Sequence, residues 1–259
     1  MTEPTSPPTS KKSDLGVRTL SAIVMVAVAG TALWLGGWVW TVFVAAVALG
    51  VLWEWRGLVV GFEPSPVKRG LWNAGGLAYV GGASYFLNMS RATNDSIDGV
   101  VMLVGVVMAI DIGAYFSGRS FGGPKIAPRI SPSKTWAGLI GGCLAAAAFL
   151  FLFMGGTCVD PSTDWATMSV RIFLNCIGNV GSNPLSYLGF GIMGAVAAII
   201  AQSGDFFESW MKRRANVKDS GSLIPGHGGL FDRVDGLLAL SFFLPIILKS
   251  LNIISFYFQ

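Results

Sequence analysis

The chain has 259 residues, of which 53% are hydrophobic and only 12% charged, with a net charge of +4 and a mean hydropathy of +0.61. An average globular chain is about one-quarter charged, so this composition excludes a soluble Rossmann-type enzyme, a disordered chain and a disulfide-dense secreted module. It describes a polytopic membrane protein, and the basic balance fits positive-inside bias better than nucleic acid, because no basic, aromatic-interleaved patch lies outside the membrane-flanking loops.

Residues 1–18 are rich in Pro, Ser and Thr, carry Lys11, Lys12 and Arg18, and read as a disordered cytoplasmic tail. No signal-peptide cleavage pattern follows, so the first apolar run, Leu20–Leu35, is expected to stay as a spanning helix. Gly36 and Gly37 then form a tight turn into a second run, Trp38–Trp55. A polar stretch with Arg56, Pro64, Pro66, Lys68 and Arg69 leads to a third, Leu71–Met89. Further runs cover Ile97–Ser117, Trp136–Met154, Leu185–Arg213 and Leu230–Leu251. The predicted fold class is therefore all-α, with about seven transmembrane helices. Residues 19–96 form an amino-terminal group of spans, and residues 97–259 a catalytic transmembrane domain with its site facing the cytoplasm.

With a cytoplasmic amino terminus, fifteen of the 18 basic residues fall inside, and only Arg91, Arg171 and Lys249 outside. Tryptophans read as interface anchors: Trp34, Trp38 and Trp40 at the outer face, Trp53, Trp55, Trp72, Trp136 and Trp210 at the inner one. Cys143 lies in the fifth span as a small hydrophobe. Cys158 and Cys176 share an outer loop, where free thiols and a disulfide both remain open.

A carboxylate at the bilayer centre costs about 2.5–3.5 kcal/mol even on lenient insertion scales, so interrupted spans carry information. Asp111, Tyr115 and Arg119 follow at intervals of four and share one helical face. Asp205, Glu208, Ser209 and Lys212 share another, and the last span opens with Asp232, Arg233 and Asp235. Singly, each pair is as readily a structural strut as a functional one. Together with Asp219, six of the 14 acids gather in or beside three spans whose polar ends point the same way. Two loops between these spans have the composition of anion sites. Gly118–Thr135 carries Arg119, Lys125, Arg129, Ser131, Ser133, Lys134 and Thr135, and Lys212–Gly229 carries four cations and ends in Pro225-Gly226-His227-Gly228-Gly229 before a helix. Glycines leave amides open, and a helix amino terminus attracts phosphate. Acids, cations and open amides at one membrane face suit a metal-bound polyphosphate.

The stretch Ser209-Trp210-Met211-Lys212-Arg213, then Lys218-Asp219, Gly221, Ile224-Pro225, His227-Gly228-Gly229-Leu230 and Asp232-Arg233-Val234-Asp235 resembles the signature of bacterial phosphatidate cytidylyltransferases, also called CDP-diacylglycerol synthases. The block from Asp111 to Arg119, the run Ser131-Pro132-Ser133-Lys134-Thr135-Trp136, and Gly204-Asp205 before Glu208-Ser209 look like the same family. The likeness covers Ala109 to Gly236; the first three spans match only in being hydrophobic. Ala137 stands where the family usually has a glutamate.

The resemblance implies transfer of a cytidylyl group from CTP to phosphatidic acid at the bacterial inner membrane, with magnesium as one ion or two. It implies Asp205 and Asp232 as metal ligands, with Asp219 and Asp235 as second candidates. Lys212, Arg213, Lys218, Arg233, Lys134 and Arg119 would clamp phosphates, and Ser131, Thr135 and Ser209 would add hydrogen bonds. His227, Gly228 and Gly229 would shape the turn at the substrate, and Asp111 would line the pocket wall. A substrate phosphomonoester has a second pKa near 6 and needs no general base. Gly138 and Gly142 suit a homodimer contact and packing within one chain equally. The rival readings are a CTP-dependent lipid kinase, which would release CDP, and an ion-coupled transporter, which would carry its acids at the midplane. The spaced aspartate motif of CDP-alcohol phosphotransferases does not occur.

Overall fold

The computed structural model describes residues 11–92, 97–157, 184–226 and 228–250. The described residues form helices α1 (Lys11–Leu35), α2 (Gly37–Phe62), α3 (Pro66–Ala92), α4 (Asp98–Phe121), α5 (Trp136–Thr157), α6 (Pro184–Arg214) and α7 (Phe231–Ser250). A hairpin of β1 (Lys125–Ala127) and β2 (Ser131–Thr135) joins α4 to α5. Each expected span is a helix, and α1, α2, α4, α5 and α6 are long and apolar enough to cross a membrane. Helices α3 and α7 have 27 and 20 residues. At about 1.5 Å per residue either can match a hydrocarbon layer of about 30 Å, although glycine and charged residues dilute both. The chain is a multi-pass helical membrane protein.

Lys11–Arg18 depart from the expected tail by forming the first turns of α1. The physical reason is propagation: no proline follows Pro8 before the apolar run, so a nucleated helix extends back through Lys11 and Lys12 at little cost. The turn at Gly36 and Gly37 is as expected, with φ of 62° and 50°. The loop between Gly118 and Thr135 holds more order than its composition suggested. Lys125 pairs with Thr135 and Ala127 with Ser131, antiparallel, and Trp136 N–H donates to Pro124 O at 3.2 Å.

Helices α4, α5, α6 and α7 pack in series; α3 closes on α7, α2 on α3, and α1 leans on α2. Helices α2 and α3 thus pack on the helices that bear the acids. Small residues set the crossings. A Cβ at Gly204 of α6 would lie 2.5 Å from Asp235 O and 2.7 Å from Ala239 Cβ, so α6 and α7 nearly touch there. Gly138 and Gly142 serve packing inside the chain: a Cβ at either would meet backbone atoms of α4, at Ala114 and Ile110.

Two tryptophans are not interface anchors. Trp34 and Trp38 are exposed as expected, but Trp40 and Trp55 are 6% and 3% exposed. Trp55 fills an aromatic core among Tyr79, Phe207 and Phe231, and its indole N–H donates to Trp72 O at 3.1 Å. Their side of a helix, which hydropathy does not report, decides the outcome.

The α4–α5 crossing gives a test of this packing. A Cβ at Gly141 would lie 1.9 Å from Ser117 Oγ and 2.7 Å from Gly113 O. Gly141→Leu should destabilise the protein by at least the roughly 1–3 kcal/mol usual for overpacking, read as a lower melting temperature in detergent; an unchanged temperature would contradict the crossing.

Candidate active site

The site lies where the carboxy-terminal ends of α2, α4 and α6 meet the amino-terminal ends of α3, α5 and α7. Helix α6 has 31 residues, about 46 Å at the standard rise, so its last turns extend to the bundle's edge. Its acids are one turn apart, as are those of α7, and the close crossing at Gly204 brings the two sets together.

The inner set comprises Asp111 of α4, Asp205 of α6, Asp235 of α7 and Lys134 of β2. The Lys134 ammonium donates to Asp205 Oδ2, Asp235 lies against Asp205, and Asp111 faces both Asp205 and Lys134. Burial alone would lower the Lys134 pKa, but the Asp205 carboxylate, with Asp111 and Asp235 behind it, holds the ammonium above its ordinary range.

The outer set is one turn along. Lys212 Nζ lies 2.6 Å from Glu208 Oε2 and 2.5 Å from Asp232 Oδ1. Asp232 Oδ2 accepts from Ser220 N at 3.0 Å, Ser220 Oγ at 3.1 Å and Gly229 N at 3.1 Å. Glu208 is 1% exposed, and among the described residues its Oε1 has no hydrogen-bond partner. Five carboxylates thus surround two ammoniums.

Oxygen donors in excess of their cations are the chemistry that hard divalent ions require, so these residues fit a magnesium ion in donor type and charge. Among the described residues, however, no three acidic, histidine or cysteine side chains form a ready-made metal shell. Asp205 and Asp232 each already attract an ammonium, and both Asp232 oxygens are engaged, Oδ1 by Lys212 and Oδ2 by Ser220 and Gly229.

Other expected residues take varied places. Arg119 Nη1 donates to Tyr115 OH at 3.4 Å, so the anticipated face of α4 is real. Thr135 Oγ1 accepts from Gly138 N at 3.0 Å and caps α5. Arg213 Nε donates to Ile130 O at 3.4 Å, tying α6 to the hairpin. Lys218, Asp219 and Arg233 are exposed; Ser131 and Ser209 are half-buried. Gly228 O accepts from Ile224 N at 3.0 Å. His227, like Cys158 and Cys176, lies outside the described residues.

One expectation is corrected. The amides at the start of α7 are not open to a substrate phosphate: Leu230 N and Phe231 N donate to Glu54 of α2 at 2.9 and 2.8 Å, and Gly229 N to Asp232. Glu54 escaped the sequence reading because it stands alone in an apolar run; a single acid there was the available signal.

Two cavities flank the turn that leads to Asp205. One, of about 420 Å³, is lined by the charged and polar side chains of Arg119, Lys125, Ser133, Lys134, Thr135 and Gln202, with Asp111 at its wall. The other, of about 640 Å³, is apolar, with Leu71, Trp72, Tyr79, Phe207 and Phe243 around it, Ser203 and Gly204 on one wall and Lys68 beside them. Gln202 faces the first, Ser203 and Gly204 the second, and Asp205 follows at once.

A model described as the Cytidylyltransferase family matches residues 65–251. A phosphatidate cytidylyltransferase of Brucella suis biovar 1 is 34% identical over 270 residues, covering 88% of this chain and 90% of the relative. One from Rickettsia bellii is 34% identical, with 88% of each chain covered. One from Haemophilus influenzae is 38% identical over 156 residues, covering 59% of this chain and 47% of the relative.

Asp232 offers a stability test. Asp232→Ala takes from half-buried Lys212 one of its two carboxylate partners and removes the acceptor of Ser220 and Gly229. It should cost about 3–5 kcal/mol, whereas exposed Lys125→Ala should cost no more than about 0.5 kcal/mol. Equal unfolding of the two variants in detergent would contradict the structural role of Asp232.

Proposed function

The chain belongs to the cytidylyltransferase family, and from that premise we propose that it transfers a cytidylyl group from CTP to phosphatidic acid, releasing pyrophosphate. The observation that carries this reading is the pair of cavities lined by neighbouring residues of α6, Gln202 on one and Ser203 and Gly204 on the other, just before Asp205. A reaction that joins a polyanionic nucleotide to a lipid needs one polar, cation-lined compartment and one apolar compartment meeting at the reacting atoms. Arg119, Lys125 and Lys134 bring three positive charges to the first. The second accepts acyl chains, with Lys68 as the cation for the headgroup phosphate.

In the step, a phosphate oxygen of phosphatidic acid attacks the α-phosphorus of CTP. A new P–O bond forms, the α–β bridging bond breaks, and pyrophosphate leaves with its electron pair. The attacking oxygen is already largely deprotonated at neutral pH, so the protein's work is to orient the reactants and offset charge. Lys134 holds its proton and places positive charge beside Asp205; Lys212 does the same beside Asp232. Asp205 and Asp232 would hold magnesium, with Asp235 adjacent, and the ion would neutralise phosphate oxygens. Lys218, Arg213 and Arg233 sit toward the rim, where they would guide the nucleotide.

The basic residues favour a cytoplasm-facing site in the bacterial inner membrane. Arg91, at the opposite end of the bundle, donates to Leu33 O of α1 at 3.2 Å, while Lys68, Arg119, Lys134 and Lys212 cluster at the site's end. This placement also leaves the acceptor in the lipid phase throughout.

Purified protein with magnesium, phosphatidic acid and CTP labelled on the α-phosphorus should place label in the lipid and release equimolar pyrophosphate, and Asp205→Asn should abolish both. Label transferred from the γ-phosphorus, with CDP released, would mean a kinase instead. Lys68→Gln should raise the KM for phosphatidic acid several-fold and leave that for CTP unchanged. The reverse pattern would exchange the two cavities.

A further inference from the structure

One buried acid has no part in the chemistry above. Glu54 of α2 is 3% exposed and lines neither flanking cavity. Its carboxylate nevertheless bridges three pieces of the site. Oε1 accepts from Leu230 N at 2.9 Å, and Oε2 from Phe231 N at 2.8 Å and from Ser220 Oγ at 2.9 Å.

Ser220 Oγ also lies 3.1 Å from Asp232 Oδ2. A hydroxyl has one proton to donate, so the two carboxylates compete for it. Ser220 N donates to Asp232 in addition, at 3.0 Å, and the serine therefore couples the two acids rigidly. The surrounding glycines are shaped by the same group. A Cβ at Gly221 would lie 2.4 Å from Glu54 Oε1, and one at Gly229 2.8 Å from Oε2 and 1.9 Å from Ser220 Oγ. Two glycines of the motif thus make room for an acid of the protein itself.

We propose that Glu54 is a positioning residue for the transfer. It occupies the amino terminus of α7 as a resident carboxylate, fixes the rotation of the first turn of that helix, and through Ser220 holds Asp232 against Lys212. The inference rests on the reading that Asp232 and Lys212 serve the reaction. Helix starts carry partial positive charge and unpaired N–H groups. A carboxylate satisfies both; a glutamine of the same volume keeps one oxygen but turns an amide donor toward a backbone donor. The effect should fall on turnover, since Glu54 touches neither compartment.

The test is a double-mutant cycle on the full-length protein in detergent, comparing wild type, Glu54→Gln, Ser220→Ala and the double variant, with melting temperature and active fraction measured for each. Glu54→Gln should lower kcat per active molecule by about 10- to 100-fold, the range typical of groups that orient a site's direct ligands, with both KM values within about twofold. Ser220→Ala should lower it less, and the double variant should lose no more than Glu54→Gln alone, because the serine acts through the glutamate. Losses that multiply, or a wild-type kcat in active Glu54→Gln protein whatever its melting temperature, would overturn the proposal. If Glu54→Gln does not fold, Ser220→Ala decides: reduced kcat at unchanged KM supports it, and wild-type kcat refutes it. An inactive wild type would instead overturn the function on which the proposal rests.

Discussion

Two helices that both carry acids at the same end of a membrane bundle can bring those acids together only if their backbones nearly touch. Gly204 allows that approach, since any side chain there would enter Asp235 O and Ala239. From this crossing follow the meeting of Asp205 with Asp235 and, a turn later, the ion pair of Lys212 with Asp232. A larger residue would separate the acids along with the helices.

Closeness has an electrostatic cost, and the structure offsets it locally. Lys134 is delivered by a hairpin and Lys212 by the same helix as Asp205, so each ammonium arrives from a direction fixed by backbone hydrogen bonds. Glu54, and Asp232 beyond its pairing with Lys212, are held by amides at the start of α7 and by Ser220. Three carboxylates remain beyond the two lysines. That surplus matches the oxygen-donor chemistry that hard divalent cations require. A membrane location keeps the lipid acceptor at hand without extraction.

Much of this was legible in the chain. Runs of apolar residues marked the seven helices of the described residues, though α1 begins nine residues before its run and α2 ends seven after its own, and the four-residue spacing of Asp111, Tyr115 and Arg119 predicted a shared face that Arg119 and Tyr115 confirm. The block Gly204-Asp205 before Glu208-Ser209 and the run Asp232–Asp235 marked four of the acids that meet, whereas Asp219 in the same signature is exposed. What was not legible depends on partners far apart in sequence. Glu54 finds Leu230 and Phe231 across 176 and 177 residues, and no local pattern marks a lone acid for that purpose. Trp40 and Trp55 are composition-matched to interface anchors and become core residues only because of the side on which α2 is packed. The hairpin escaped because three prolines in Gly118–Thr135 read as loop signals, although two of them, Pro124 and Pro128, flank β1.

The central claim is that a nucleotide and a lipid meet at Asp205 from opposite sides. A structure with a non-hydrolysable CTP analogue and magnesium in lipid tests it most directly. The account predicts the triphosphate among Arg119, Lys125 and Lys134, with its α-phosphorus facing Asp205 and lipid density beside Trp72 and Phe207. A nucleotide seated in the apolar cavity, or on the far side of α7 with Asp205 facing no phosphate, would contradict it.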